Sequence, residues 1–428
     1  MYRLVDALYE RVKGSWEERF ERSYGFWRGF VDEVVLAFQA CGDFEGGFAR
    51  VYCDACRSDY LVAFSCSRRV FCPSCAAKRA AIFGALLREE ILEEVGHAQW
   101  VFTIPKLLRP YFLHHRELLG KLSRAAWETV HELIAAANAD DRGIRPGMVS
   151  VVQTATDLLE WSPHVHALVS RGGWDRAGIW VPVPYVDATS AELLFRHKVI
   201  ALLRDEELLS EQRIELLLSW QNTGFSVHDS VTVEPEDAAG SERLARYLLR
   251  PPLSLERMSL DAEGSVLYRC KAPGRFGDSQ ATFDAMDCLA RLLMHIPAPK
   301  LHTVRYYGEY SSVARARRRV EVDGVAAASS ARASGRADSL STPERRRLRR
   351  AWAQMIRRIY EVDPLTCRCG AQMRILSFIL DPRVITKILE HIAQHIAEKG
   401  TARERAPPSS ALAPSGLRQS SGLLRVRS

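Results

Sequence analysis

Two histidines one residue apart, His164 and His166, stand in the segment WSPHVHALVSRGG and make the only His-x-His of the chain. The segment reads as a strand, entered after Pro163 and left at Gly172-Gly173. A strand has period two, so both imidazoles project from one face while Val165 and Ala167 project from the other. Two imidazoles on one face can chelate a divalent ion and leave positions open for water or a substrate oxygen. Gln153 lies on a preceding strand and offers its amide oxygen as a third, hard ligand if the two strands are neighbours.

About eighty residues further on, 241–250 (SERLARYLLR) reads as a helix. Arg243, Tyr247 and Arg250 are related by i+4 and i+3, so the tyrosine shares a face with two arginines, and Arg246 stands next to it in sequence. A phenol at its ordinary pKa near 10 is a weak nucleophile at neutral pH. Guanidinium groups or a metal close by favour the phenolate and bind the phosphate it would attack. Taken without the histidine pair, Tyr247 reads as an ordinary half-buried tyrosine.

Five of the ten cysteines fall between 53 and 75. Cys53-x2-Cys56 followed by Cys72-x2-Cys75 is the double CxxC pattern of a tetrahedral Zn²⁺ site. Cys66 is a spare thiol that can substitute for one ligand or pack as a small hydrophobe. Arg57, Arg68, Arg69, Lys78 and Arg79 surround the cluster, as in zinc modules that touch nucleic acid. The late pair Cys367-Arg368-Cys369 is only a CxC and is expected to hold no metal; Cys41, Cys270 and Cys288 read as packing residues.

The elements that must carry these groups mix helices and short strands without strict alternation, which predicts an α+β fold. Residues 1–45 show helical spacing, and a helix is predicted over 78–94. Strands are predicted at 98–104, 149–154, 164–169 and 227–233, with a Leu-rich helical segment over 191–220 and a helix over 237–250 stopped by Pro251-Pro252. Residues 320–343 read as a linker, 344–360 as a basic amphipathic helix, 383–398 as another helix and 401–428 as a disordered tail.

The 428 residues carry 59 Lys+Arg against 52 Asp+Glu, a net charge of +7, with 47% hydrophobic residues. That composition describes a folded globular chain. No apolar run is long enough for a membrane helix, and the charged N-terminal segment is no secretory signal, so a cytoplasmic protein is expected. The stretch 315–350 holds 11 Arg and 4 acidic residues, which equals the entire net charge. Arginine's planar fork suits bidentate phosphate contacts, and a polyanionic partner follows.

Together these segments resemble the rolling-circle transposases with a His-hydrophobe-His motif (HUH), of the insertion-sequence-ninety-one and common-region type, which carry an N-terminal transposase zinc-binding domain. The resemblance runs through AFSCSRRVFCPSCAAKRA (63–80), WVFTIPKLLRPYF (100–112), SPHVHALVSRGGW (162–174), FRHKVIALLRDEELL (195–209), ARYLLRPPLSLERM (245–258), LHTVRYYGEYSSVARARR (301–318) and VDPLTCRCGAQMRIL (362–376). It implies an HUH core with a central antiparallel sheet flanked by helices over 96–319, behind a helical and zinc-binding domain over 1–95. A basic helical region over 344–400 would follow the linker. It further implies that His164 and His166 hold Mg²⁺ or Mn²⁺, that Tyr247 attacks single-stranded or hairpin DNA, and that Phe102-Thr103 belongs to a structural first-strand motif. Two departures stand out: a second tyrosine four residues after the first is replaced by Pro251, and the late CxxC of relatives is CxC here.

On this reading Tyr247 forms a 5′-phosphotyrosine and frees a 3′-hydroxyl, with Arg243, Arg246 and Arg250 binding DNA and Trp161, Trp174, Tyr306 and Tyr307 available for base stacking. A single tyrosine completes strand transfer through the free 3′-hydroxyl, a second active site or its own reuse, which leaves room for a homo-oligomer. A plasmid replication initiator or relaxase would use the same chemistry, and a catalytically inactive zinc-dependent DNA-binding remnant is the alternative without catalysis.

Overall fold

The computed structural model describes residues 1–68, 70–137, 143–183, 186–220, 222–270, 280–318, 367, 369–403 and 423–426. The expected linker, the basic helix at 344–360 and the arginine-rich stretch beyond residue 318 lie outside the described residues. The chain divides into two compact units, one of residues 1–32 and 69–336 and one of residues 33–68 and 337–428, a division that does not fall at the boundary expected near residue 95.

In the first unit, α1 (Tyr2–Gly14) leads through a wide turn into α2 (Glu21–Tyr24), while α3 (Phe30–Gln39) runs across the division. After strands β1 (Phe48–Cys53) and β2 (Ser58–Ala63), which belong to the second unit, the chain forms α4 (Pro73–Leu86), opened by a proline in its first turn and extended by a wide turn to Ile91. The first unit continues with β3 (His97–Thr103), α5 (Arg109–His114), α6 (Leu118–Ala136), β4 (Gly147–Ala155), β5 (Trp161–Ser170) and the small hairpin β6 (Gly172–Trp174) and β7 (Trp180–Pro182). Then come α7 (Ala188–Asp205), α8 (Glu211–Ser219), β8 (Ser226–Val233) and α9 (Ala238–Leu248). A three-stranded sheet of β9 (Met258–Leu260), β10 (Val266–Arg269) and β11 (Gln280–Phe283), then α10 (Ala285–Met294) and β12 (Val304–Gly308), complete the unit.

Five strands join in the order β12-β4-β5-β3-β8, every neighbour antiparallel, so the α+β expectation holds and the histidine strand is the central one. The period of two divides the residues of β5 between the faces. Val165, Ala167 and Val169 enter a core with Trp100 and Phe102 of β3, Phe112, Leu118 and Leu122 of α5 and α6, and Phe195 of α7. Leu168 enters the core of the opposite face with Val149, Val151 and Val233, covered by Leu244, Ala245 and Leu248 of α9 and by Phe83 of α4. Phe102, Phe112 and Phe195 are fully buried; each contributes about 2–3 kcal/mol of burial.

Three local readings change. The Leu-rich stretch 191–220 is two helices, because Glu207 takes φ 59° and Ser210 opens a new N-terminus. The first 45 residues are three short helices broken at Ser15 and at Gly25, whose φ is 81°. The cysteine-rich stretch, short on regular periodicity in the sequence, forms the β1–β2 hairpin with Cys53 paired to Ser58 across its turn.

The second unit holds an antiparallel sheet in the order β13-β1-β2-β14, where β13 is Arg374–Ile379 and β14 is Leu423–Val426. Part of the expected tail is therefore a strand, and residues 404–422 lie outside the described residues. Helix α11 (Pro382–Arg403) places Ile385, Ile388, Leu389 and Ile392 at helical spacing against Phe48 and Leu61 of the hairpin.

Candidate active site

The face of the sheet that carries Leu168 also carries the two histidines, and α9 packs on that face. The His164 and His166 rings lie 4.9 Å apart, centroid to centroid. Tyr247 on α9 brings its ring to 5.7 Å from that of His166, nearly perpendicular at 86°. The Arg250 guanidinium sits over the Tyr247 ring at 4.3 Å. Tyr247 is 40% exposed, while Leu244, Ala245 and Leu248 of the same helix are buried, so amphipathic spacing anchors the helix and leaves the phenol accessible.

Each imidazole is held from one side. His164 Nδ1 donates to the Ser162 carbonyl at 2.6 Å, which leaves Nε2 as the lone-pair nitrogen. His166 Nδ1 faces the Gln99 carboxamide at 3.0 Å, and its buried Nε2 has no hydrogen-bond partner. Burial lowers the pKa of His164, with Arg250 and Arg109 adding to the effect. Burial, then the neighbouring His164 and Arg250, lower that of His166 to about 3. Both rings are neutral at physiological pH, the form that ligates metals.

Gln153 stands directly across from His164 in the β4–β5 register, so the strand adjacency its role requires is present. Its Nε2 donates to the Leu248 carbonyl at 2.8 Å, which ties the C-terminal end of the tyrosine helix to the sheet. A cleft opens beside this contact, lined among others by Gln153, Thr154, Arg116, Arg250, Pro251 and His302.

The three arginines of α9 and its end differ in their surroundings. Arg250 adjoins Tyr247. Arg246 pairs with Glu242 at 2.7 Å, and Glu242 also takes Arg88 of the α4 extension at 3.1 Å. Arg243 is exposed, with Asp237 at 3.7 Å.

The aromatic residues expected to stack on bases are engaged internally. Trp161 lies between His295 and the Arg116 guanidinium and donates to the Arg109 carbonyl. Trp174 packs on Trp180 and Tyr310, Tyr306 lies under Arg315, and Tyr307 stacks on Trp127. Their sequence signal was that of aromatic core residues flanking the site.

Within the second unit, the neighbours of Cys53 and Cys56 are Cys367 and Cys369, the CxC expected to hold nothing. Cys72 and Cys75 lie in the other compact unit, at the start of α4, and Cys66 donates its backbone N–H to Cys41 Sγ at 3.3 Å. Sequence spacing paired the thiols nearest along the chain, whereas β13 pairing with β1 brings distant ones together. Gln99 was also missed; a carboxamide in the otherwise apolar strand AQWVF was its only signal.

Among the described residues no helix is long and apolar enough to cross a membrane. Residues 147–318, which hold the histidines and Tyr247, match a family model described as "Putative transposase". Residues 12–104 match one described as "Transposase zinc-binding domain". The chain is 29% identical over 296 residues to the "Transposase for insertion sequence element IS801" of Pseudomonas savastanoi pv. phaseolicola, covering 64% of this chain and 69% of that protein. It is 26% identical over 300 residues to "Putative transposase y4qJ" of Sinorhizobium fredii, covering 64% of this chain and 73% of that protein. No solved structure matches. The zinc-binding match precedes the transposase match along one chain, and together with the IS801 relative the two matches support a transposase of the IS91 type with an N-terminal zinc-binding domain.

Proposed function

We propose that this transposase cuts and rejoins single-stranded or hairpin DNA at insertion-element ends through a 5′-phosphotyrosine on Tyr247. The observation that carries the reading is the meeting of Tyr247 with the His164–His166 pair on one sheet face, 5.7 Å from His166. The antiparallel sheet with that pair on its central strand supports an HUH endonuclease core.

The residues fit a divalent ion. Both imidazoles are neutral, His164 presents Nε2, and His166 has a buried Nε2 with no hydrogen-bond partner. His164 and His166 would hold Mg²⁺ or Mn²⁺, with Gln153 opposite as the third ligand. Bound there, the ion supplies Lewis-acid polarisation of the scissile phosphate.

The chain's own groups do the rest. The Tyr247 oxygen attacks phosphorus in line, the Oη–P bond forms as the P–O3′ bond breaks, and the phenolic proton leaves while the 3′-oxygen gains one. Arg250 stands beside the phenol, where its charge binds the phosphate. The phosphodiester energy is retained in the tyrosyl link, so a 3′-hydroxyl attacking it rejoins DNA without ATP. Because Pro251 follows where a second tyrosine would stand, the rejoining step uses the freed 3′-hydroxyl, a second copy of the chain, or Tyr247 again.

The test is incubation with single strands from the encoding element's ends in Mn²⁺, read on denaturing gels. Wild type should yield a protein-linked DNA product and a free 5′-side fragment ending in a 3′-hydroxyl, both absent in Tyr247→Phe and in His164→Ala/His166→Ala. Salt-sensitive binding with no cleavage in any divalent metal would overturn the reading in favour of a DNA-binding remnant.

A further inference from the structure

The second compact unit contains a cluster of thiols that no DNA chemistry explains. Its elements are one hairpin near residue 55 and one turn more than 300 residues later in the sequence. Cys53 ends β1 and Cys56 lies in the turn to β2, where Arg57 takes φ 53° and lets the chain double back. On the other side, Gly370 N–H donates to the Cys367 carbonyl and Cys367 N–H to the Ala371 carbonyl, both at 2.8 Å. Those bonds close a tight loop around Cys369, and Gly370 has φ 84° there, a conformation glycine accepts without strain. Strand β13 then leaves this loop and pairs with β1, Arg374 opposite Tyr52, which holds the loop beside the hairpin turn.

The result is four Sγ atoms all within 4.8 Å of one another. Cys53 and Cys369 approach to 3.6 Å and Cys56 and Cys367 to 3.3 Å. These separations are far beyond a disulfide bond of about 2.05 Å. They are close to the edge of a tetrahedron, about 3.8 Å, that thiolates make around Zn²⁺ at about 2.3 Å. Packing does not account for the group either, since Cys56 and Cys369 are exposed while Cys53 and Cys367 are buried. Beneath the buried pair lies a small core of Val51, Tyr60, Met373 and Ile375. A sheet face with so small a core gains from a staple.

We infer that Cys53, Cys56, Cys367 and Cys369 form a four-thiolate zinc site that fastens the C-terminal loop and β13 to the β1–β2 hairpin. The zinc-binding domain is then completed by residues far outside the matched region 12–104. The soft, all-sulfur donor set favours Zn²⁺ over Mg²⁺ or Mn²⁺, so this ion is structural and chemically distinct from the one at the histidine pair. Binding converts the thiols to thiolates and releases their protons to solvent, with no oxidant or reductant involved. The inference stands whether or not Tyr247 is the nucleophile.

The test uses the full-length protein purified with zinc and, separately, exchanged into Co²⁺. Cys367→Ser/Cys369→Ser should lose one equivalent of zinc per chain and part of the thiolate-to-cobalt absorption, and its C-terminal segment should become protease-sensitive. If that variant does not fold, Cys369→His keeps a ligand in place and should retain the zinc equivalent while shifting the cobalt spectrum. Unchanged zinc content in the double serine variant, or an unchanged cobalt spectrum in Cys369→His, would overturn the assignment.

Discussion

Gln99 and His166 form a pair whose proton decides whether the ring can hold a metal. Nδ1 of His166 faces the Gln99 carboxamide at 3.0 Å. If the amide oxygen accepts from Nδ1–H, the buried Nε2 presents a lone pair; if the amide nitrogen donates to Nδ1, Nε2 carries the proton and cannot ligate. On the proposed function, metal binding would select the first orientation, with Gln99 as a positioning residue. Gln99→Leu should weaken Mn²⁺ binding about 10- to 100-fold, with Gln99→Glu restoring much of it, as measured by calorimetry. Equal affinity in all three proteins would remove Gln99 from this role. Two other buried histidines predict the acid limit of the fold. Burial lowers the pKa of both His97 and His295 to about 4, against about 6.5 in an unfolded chain. Both are neutral in either state above pH 7. As pH falls below about 6.5 the unfolded chain takes up protons that the folded one refuses, so stability drops by about 1.4 kcal/mol per histidine per pH unit until pH nears 4. Urea unfolding at pH 7.5 and 5.5 should show this loss, and His97→Phe should flatten it; an unaltered slope would contradict the assignment.

At the scale of elements, the site depends on how closely α9 can approach its neighbours. Gly84 of α4 provides the space, because a Cβ there would stand 3.0 Å from Arg246 Cγ and 3.4 Å from the Glu242 carbonyl. Gly84→Val should cost about 1–3 kcal/mol of stability and slow DNA cleavage by displacing the Tyr247 helix. Normal stability with normal cleavage would show that the approach does not matter. The elements that carry the chemistry were legible in the sequence for local reasons. Strand β5 is marked by Pro163 and Gly172, β3 by its apolar run before Pro105, and α9 by its 3.6-residue pattern before Pro251-Pro252. The sheet order was not legible, because pairing is nonlocal: β12, over 130 residues after β5, closes the edge beside β4. The same limit hid the partners of Cys53 and Cys56, which come from the loop before a strand added from the far end of the chain. The break after Asp205 escaped notice since leucines run through both helices and only the backbone at Glu207 reveals it.

Across the whole molecule, the charge and the chemistry are separated along the sequence. The +7 net charge equals the balance of residues 315–350, so the rest of the chain is neutral overall. On the proposed function, those arginines are a sequence-independent tether for the DNA backbone. Replacing Arg345, Arg346, Arg347, Arg349 and Arg350 with Gln should weaken binding equally for all single strands and lower the salt dependence by about 0.7 per lost phosphate contact. Cleavage at saturating DNA should be unchanged; a loss confined to one target sequence would contradict a tether. Specific action is left to the sheet face where His164, His166 and Tyr247 meet. That meeting is tested most directly by trapping the covalent product in Mn²⁺ and mapping the joined peptide by mass spectrometry. The account predicts a nucleotide 5′-phosphate on the peptide containing Tyr247 and on no other; a 5′-phosphate on another residue, or an adduct that persists in Tyr247→Phe, would contradict it.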